Sequence, residues 1–200
     1  MGTQEQREAV IGALNQRYEN LSFDCDNNGY ITLNDNFSTI ESRNDEYIQT
    51  MINDKNNIST LYVSNGLEIE HNGTRMIMNA DSHSMFGGNE FVEDKVVGKQ
   101  YIDFQYFQKV SSATADYRKF TGDEKYEQHL LGAIIMHEFS EGYEGCLIAA
   151  QTGEALKINT SDYLTAHTIA NAHFKGDMSP VYTNAGDKVL NVMTLSGSRL

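Results

Sequence analysis

Three side chains, His137, Glu138 and Glu141, in the order His-Glu-x-x-Glu, carry the chemistry most open to reading in this sequence. They fall inside Tyr126–Thr152, YEQHLLGAIIMHEFSEGYEGCLIAAQT, which no proline interrupts. Leu130, Leu131, Ala133, Ile134 and Ile135 recur there at helical spacing, and the apolar pattern resumes at Leu147, Ile148 and Ala149. The spacing predicts one long helix. Residues four apart share a helix face, one turn from each other. His137 and Glu141 can therefore aim a nitrogen and an oxygen at one small cation. Glu138 lies about 100° round the helix, where it can face a water bound to that cation. Alternatively, these side chains form a solvated or mutually hydrogen-bonded helix face. Against that, Ile134, Ile135 and Met136 directly precede His137, and a charge buried among such residues needs a partner.

Peptidases with His-Glu-x-x-His hold zinc in this layout, with the glutamate between the two ligands as general base. Here the second histidine is Glu141, and zinc accepts a carboxylate oxygen as well as an imidazole nitrogen. A third ligand must come from elsewhere. The segment TSDYLTAHTIANAHF, 160–174, offers His167 and His173. Ser161 or Asp162 can cap a helix there, on which Tyr163, His167 and Ala170 share a face. His173, six residues past His167, faces elsewhere. His167 is the favoured third ligand. Glu144, one further turn along the first helix, and His173 are the alternatives, with His83 a further one. A chemistry of metal-assisted hydrolysis would make Glu138 the base and would use Tyr163 or Tyr143 as hydrogen-bond donor to an oxyanion.

The strings MHEFSEGYEGC and YLTAHTIANA resemble the zincin-like metallopeptidase toxin domains at the C-terminal ends of bacterial Rhs-repeat polymorphic toxins, common in the Bacteroidetes. Those domains read MHExxEAYxGA, a variable stretch, then YxxAHxxA. The chain matches at Met136, His137, Glu138, Glu141, Tyr143 and Gly145, then at Tyr163, Ala166, His167 and Ala170. It departs at Gly142 and Cys146, where the family favours alanine; neither is a proposed ligand. The close match covers Met136 to Ala170. The resemblance implies His137, Glu141 and His167 as zinc ligands, Glu138 as base, and a polypeptide substrate. It also implies a secretion apparatus for delivery and a cognate immunity protein, whose contact face would be basic against so acidic a chain.

A net charge of −13, from 15 basic and 28 acidic residues, argues against a nucleic-acid groove, which needs Lys and Arg. No apolar run approaches the ~20 residues of a membrane helix. The first twenty residues lack an apolar core, so synthesis in the cytosol without a signal peptide is expected. Export would then use a signal-independent route or follow from being the C-terminal part of a larger toxin. Cys25 and Cys146 give no disulfide framework, and Cys146 should pack as a small hydrophobe.

The length suits a single α+β domain over 1–200, with 1–57 as a helix–hairpin–helix subregion and 58–200 as the metal-site core. A zincin-like arrangement is expected: a small twisted antiparallel or mixed sheet packed on the long active-site helix, with additional helices. Thr3–Glu19 and Asn44–Asn53 read as helices. Between them, Asp24, Asp26, Asn28, Tyr30 (by its carbonyl), Thr32 and Asp35 stand at positions 1, 3, 5, 7, 9 and 12 of a calcium loop, with Gly29 at 6. The same stretch also reads as a β-hairpin turning at Asn28-Gly29. The hairpin is favoured, because position 12 lacks the bidentate glutamate and a second calcium loop is absent.

Ile58–Val63 is expected as a strand, and Leu67–Ile69 and Met76–Met78 as short strands around Asn72-Gly73. Met85–Val92 reads as a strand broken by Gly87 and Gly88, which mark a bulge or a close backbone approach. Such an edge strand beside a metal helix can hold extended substrate by main-chain bonds. Tyr101–Val110 alternates most regularly and is expected as a strand. Ser111–Gly122 reads as a loop, and Val181–Asn184 with Lys188–Thr194 as a terminal hairpin followed by a frayed tail.

Overall fold

The computed structural model describes residues 2–71, 73–78, 84–106, 126–158, 160–174, 177–182 and 188–194. His83, the 111–122 stretch, the turn at 185–187 and the final five residues lie outside them. The fold is α+β. It opens with helix α1, Gln4–Arg17, started by a capping box in which Thr3 and Gln6 bond each other's backbone N–H. The hairpin β1, Phe23–Cys25, and β2, Ile31–Leu33, follows, with Asp24 paired to Thr32. Its turn uses Gly29 at φ 90°, and Asp26 Oδ1 accepts from the Asn28 and Tyr30 amides at 2.8 and 2.9 Å. The Asp24–Asp35 stretch is therefore a hairpin. Helix α2, Arg43–Asn53, has its own capping box from Ser42 and Asp45.

A three-stranded sheet comes next, built from β3, Asn57–Ser64, β6, Ser84–Val92, and β7, Lys95–Asp103, in the order β3-β7-β6. Strands β3 and β7 are parallel, and β6 and β7 antiparallel. The small hairpin of β4, Glu68–His71, and β5, Thr74–Ile77, lies between β3 and β6 in the chain. Gly87 and Gly88 sit in a register shift between Phe86 and Asn89, so they form the expected bulge. Helix α3, Tyr126–Thr152, and helix α4, Ser161–His173, precede a last antiparallel pair, β8, Asp177–Tyr182, and β9, Lys188–Thr194.

The strand expected at Tyr101–Val110 starts earlier, and its residues 107–110 lie outside the described ones. Strand β7 begins at Lys95, and the chain turns helical after Asp103, whose Oδ1 accepts from the Gly66 and Tyr106 amides at 2.7 and 3.1 Å. Along the central strand, buried and half-buried residues alternate from Lys95 to Gln100, but the buried set includes a glycine and an amide, so hydrophobic alternation is a poor guide to it. Gly98 and Gln100 break its apolar run for reasons that lie in the helix above.

Helix α3 touches α1, α4 and all three strands of the sheet. Its side chains from Ala133 to Cys146 are buried all round, apart from half-buried Phe139. Its buried His137, Glu138, Ser140, Glu141 and Glu144 therefore depend on partners within the fold. One core joins Val10, Leu14, Ile48, Met51, Ile102 and Ile135; a second joins Phe86, Val96, Cys146 and Ala149. Among the described residues no helix is long and apolar enough to cross a membrane. The helix lies hard on the sheet: a Cβ at Gly98 would stand 2.7 Å from the Gly142 carbonyl oxygen and 2.9 Å from Cys146 Sγ. Gly98→Ala should therefore lower stability by ~1–3 kcal/mol through overpacking. The check is a fall in the urea midpoint at unchanged m-value; an unchanged midpoint would mean the helix sits further from the strand.

Candidate metal centre

Helix α3 brings His137 and Glu141 one turn apart, both almost fully buried at 2% and 3% exposure. Helix α4 brings His167. Its N-cap is Thr160 rather than Ser161 or Asp162, with Thr160 Oγ1 accepting from the Tyr163 amide at 3.2 Å. Ala166 and Ala170, completely buried, are the small side chains on the inner face of α4. Their size lets α4 approach α3, while neighbouring His167 keeps a side chain 39% exposed.

The three groups converge. One ligand atom from each of His137, Glu141 and His167 lies within 4.8 Å of the others, and this is the only such group among the described residues. Glu141 Oε2 is 3.6 Å from His137 Nε2 and in very close contact with His167 Nδ1. The two imidazole rings meet edge-on, 5.2 Å between centroids. A tetrahedral zinc bound at about 2.0–2.1 Å would space its donors about 3.3 Å apart, so closing the set needs only small side-chain movements. His137 Nδ1 is buried with no partner, and Nε2 is beyond normal hydrogen-bond distance from Glu141. Nε2 is thus the nitrogen that faces the other two donors. Two imidazoles and one carboxylate are a zinc-type donor set.

The charges follow from burial. For Glu141, burial raises the carboxyl pKa, but the neighbouring imidazoles of His137 and His167 outweigh it and bring it to about 2. The bond to Glu141 raises the His167 pKa, against burial. Glu138, 5% exposed, is pushed well above the usual carboxylate range by burial and by the charge of Glu141, against a hydrogen bond from Ser84. Glu138 thus lies beside the converging donors, at the start of edge strand β6. Burial, and then the charges of Glu141 and Glu138, raise the pKa of the Tyr163 hydroxyl, and its ring stacks on Phe86 at 5.1 Å.

Other candidates are placed elsewhere. Tyr143 lies two residues past Glu141, on the opposite helix face, and donates to Asp54 Oδ2 at 3.1 Å. It is no oxyanion donor for this cluster. Glu144 accepts from the Tyr47 hydroxyl at 2.8 Å, with Ser140 Oγ also 2.8 Å from that hydroxyl. His173 stacks on the Tyr47 ring at 3.9 Å. Glu144 and His173 therefore meet around Tyr47 and do not join the converging donors. Asp24, Asp26 and Asp35 are likewise outside that group.

Sequence reasoning overlooked Gln100 and Ser84. Gln100, fully buried on β7, donates from Nε2 to Glu141 Oε1 at 3.2 Å. An amide amid strand residues was its one visible trace. Ser84 carried none. The chain matches no family model, no curated protein and no solved structure. The likeness to toxin domains therefore stands on the motif residues.

Without metal, stability should peak at mildly acidic pH. Glu138 keeps its proton above its ordinary value of 4.5 when folded, so stability declines as pH rises from there. The contribution of His167, fully present below 6.5, is lost as pH rises through its higher folded value. Glu141 acts oppositely on the acid side, its contribution fading as pH falls from 4.5 towards 2. Melting temperatures in chelator should therefore drop between about pH 5 and 8, less steeply for Glu138→Gln. A flat or rising profile over that range would contradict these charge assignments.

Proposed function

We propose that this chain is a zincin-like, metal-dependent peptide hydrolase serving as a toxin or effector domain. The observation carrying this is the convergence of His137, Glu141 and His167 beside the buried carboxyl of Glu138. Zinc held there would lower the pKa of a water towards ~7 and polarise a carbonyl. Glu138 takes the proton from the attacking water at its carboxylate and passes it to the leaving amine. Tyr163, steadied by Phe86, donates from its hydroxyl to the developing oxyanion. The edge of β6 from Ser84 to Phe86 can pair with an extended polypeptide by main-chain bonds. On the toxin reading, delivery is by a signal-independent secretion apparatus or as the C-terminal part of a larger toxin. A cognate immunity protein with a basic face then blocks the cleft.

One observation favours a second reading, a non-catalytic binding module. The Glu141 carboxylate already engages His167 and Gln100. Metal content separates the two. Protein purified without chelator should carry about one zinc per chain, the number one tetrahedral site holds. His137→Ala, Glu141→Ala and His167→Ala should each carry little. Glu138→Gln should retain zinc but stop producing new termini from an unfolded polypeptide pool, read by mass spectrometry. Zinc-free protein whose melting temperature ignores added zinc would favour the binding module, and a fully active Glu138→Gln would remove the base.

A further inference from the structure

We propose that Gln100 is a positioning residue that holds Glu141 to a single-oxygen ligand, and so makes the centre selective for a low-coordinate ion such as zinc over calcium or magnesium. The proposal rests on the metal centre described above and deepens it.

Gln100 occupies the central strand of the sheet, with backbone partners on both sides: Leu61 of β3 and Phe86 of β6. Its side chain is completely buried. A Cβ at Gly142 would lie 3.1 Å from Gln100 Cγ, so the α3 backbone rests directly on this side chain. The side chain is thus confined between sheet and helix. Its Nε2 donates to Glu141 Oε1 at 3.2 Å, while its own Oε1 is buried without a partner. A buried amide with one bond made and one unmade is costly. The bond that is made goes to the carboxylate of the candidate ligand.

That bond divides the two oxygens of Glu141. Oε1 faces the sheet and is occupied by Gln100. Oε2 faces His137 Nε2 and His167 Nδ1. A carboxylate tied down in this way presents one oxygen to an ion. Two imidazoles and one oxygen then supply three protein donors and leave a position for water, as a catalytic zinc requires. Calcium takes six to eight oxygens, often with bidentate carboxylates, and magnesium an octahedral set. Neither is served by this arrangement. Were Oε1 free, Glu141 could close on the ion with both oxygens and fill the position that water needs.

The test uses the full chain loaded with cobalt(II), whose visible bands are intense when four-coordinate and weak when five- or six-coordinate. The wild type should show the intense bands. Gln100→Met, close in size but without the donor, should shift towards the weak bands. Its zinc affinity should fall by roughly ten- to a hundredfold, the usual cost of losing an outer-shell bond. Its preference for zinc over calcium should narrow. Far-UV circular dichroism controls for folding. If the methionine variant does not fold, Gln100→Leu makes the same comparison. Weak bands in the wild type, or a folded variant with unchanged spectrum and affinity, would overturn the role of Gln100 and leave the metal centre standing. A wild type that takes up neither cobalt nor zinc would remove the metal centre and this proposal together.

Discussion

The close seat of helix α3 on the parallel strands β3 and β7 governs the rest of the molecule. Gly98 and Gly142 make it possible, because neither presents a Cβ where helix and sheet meet. With the backbones so near, a polar side chain on the sheet can reach a polar side chain on the helix through a thin apolar layer. Gln100 meets Glu141, and Cys146 Sγ reaches the Ile58 carbonyl at 3.6 Å. The opposite side of the same helix receives α1 and α2. The catalytic candidates are therefore carried on an element held from every direction, which is how a site built on a rigid scaffold keeps its geometry.

Three carboxylates lie buried along two turns of that helix, and each is handled differently. Glu141 is compensated by imidazoles and by an amide. Glu144 takes a hydrogen bond from Tyr47. Glu138 has Ser84 and the repulsion of Glu141, and so favours its neutral form. Pairs of titratable groups with environments that push them apart are a recurrent pattern in acid–base sites. Here the difference comes from which neighbouring element each side chain meets: α4 and the sheet, α2, or the beginning of β6.

Much of this was legible in the sequence, and for physical reasons. The i, i+4 relation of His137 to Glu141 is local to one helix, so spacing alone brings them together. His167 was legible because Tyr163 and Ala170 mark the inward face of α4. What could not be read depends on contacts between distant segments. Tyr143 looked suitable by proximity in sequence, but Asp54, far earlier in the chain, takes its hydroxyl. The start of β7 was hidden because Gly98 and Gln100 serve the helix above them rather than the strand they belong to. The calcium-like spacing of Asp24 to Asp35 arose from the same Asp, Asn and Gly residues that a tight hairpin turn prefers. For Tyr143 and β7, tertiary contact decided between patterns that composition left level.

Cys146, packed between Gly98 and Ile58, has a further chemical meaning. Burial pushes its thiol up to about 12, against bonds from the backbone of Gly98 and Ile58. Only the thiolate attacks disulfides or is readily oxidised, so a protonated and shielded sulfur is inert. Redox conditions that would scramble an exposed cysteine leave this helix covalently unchanged, whether the protein stands in reducing or in oxidising surroundings.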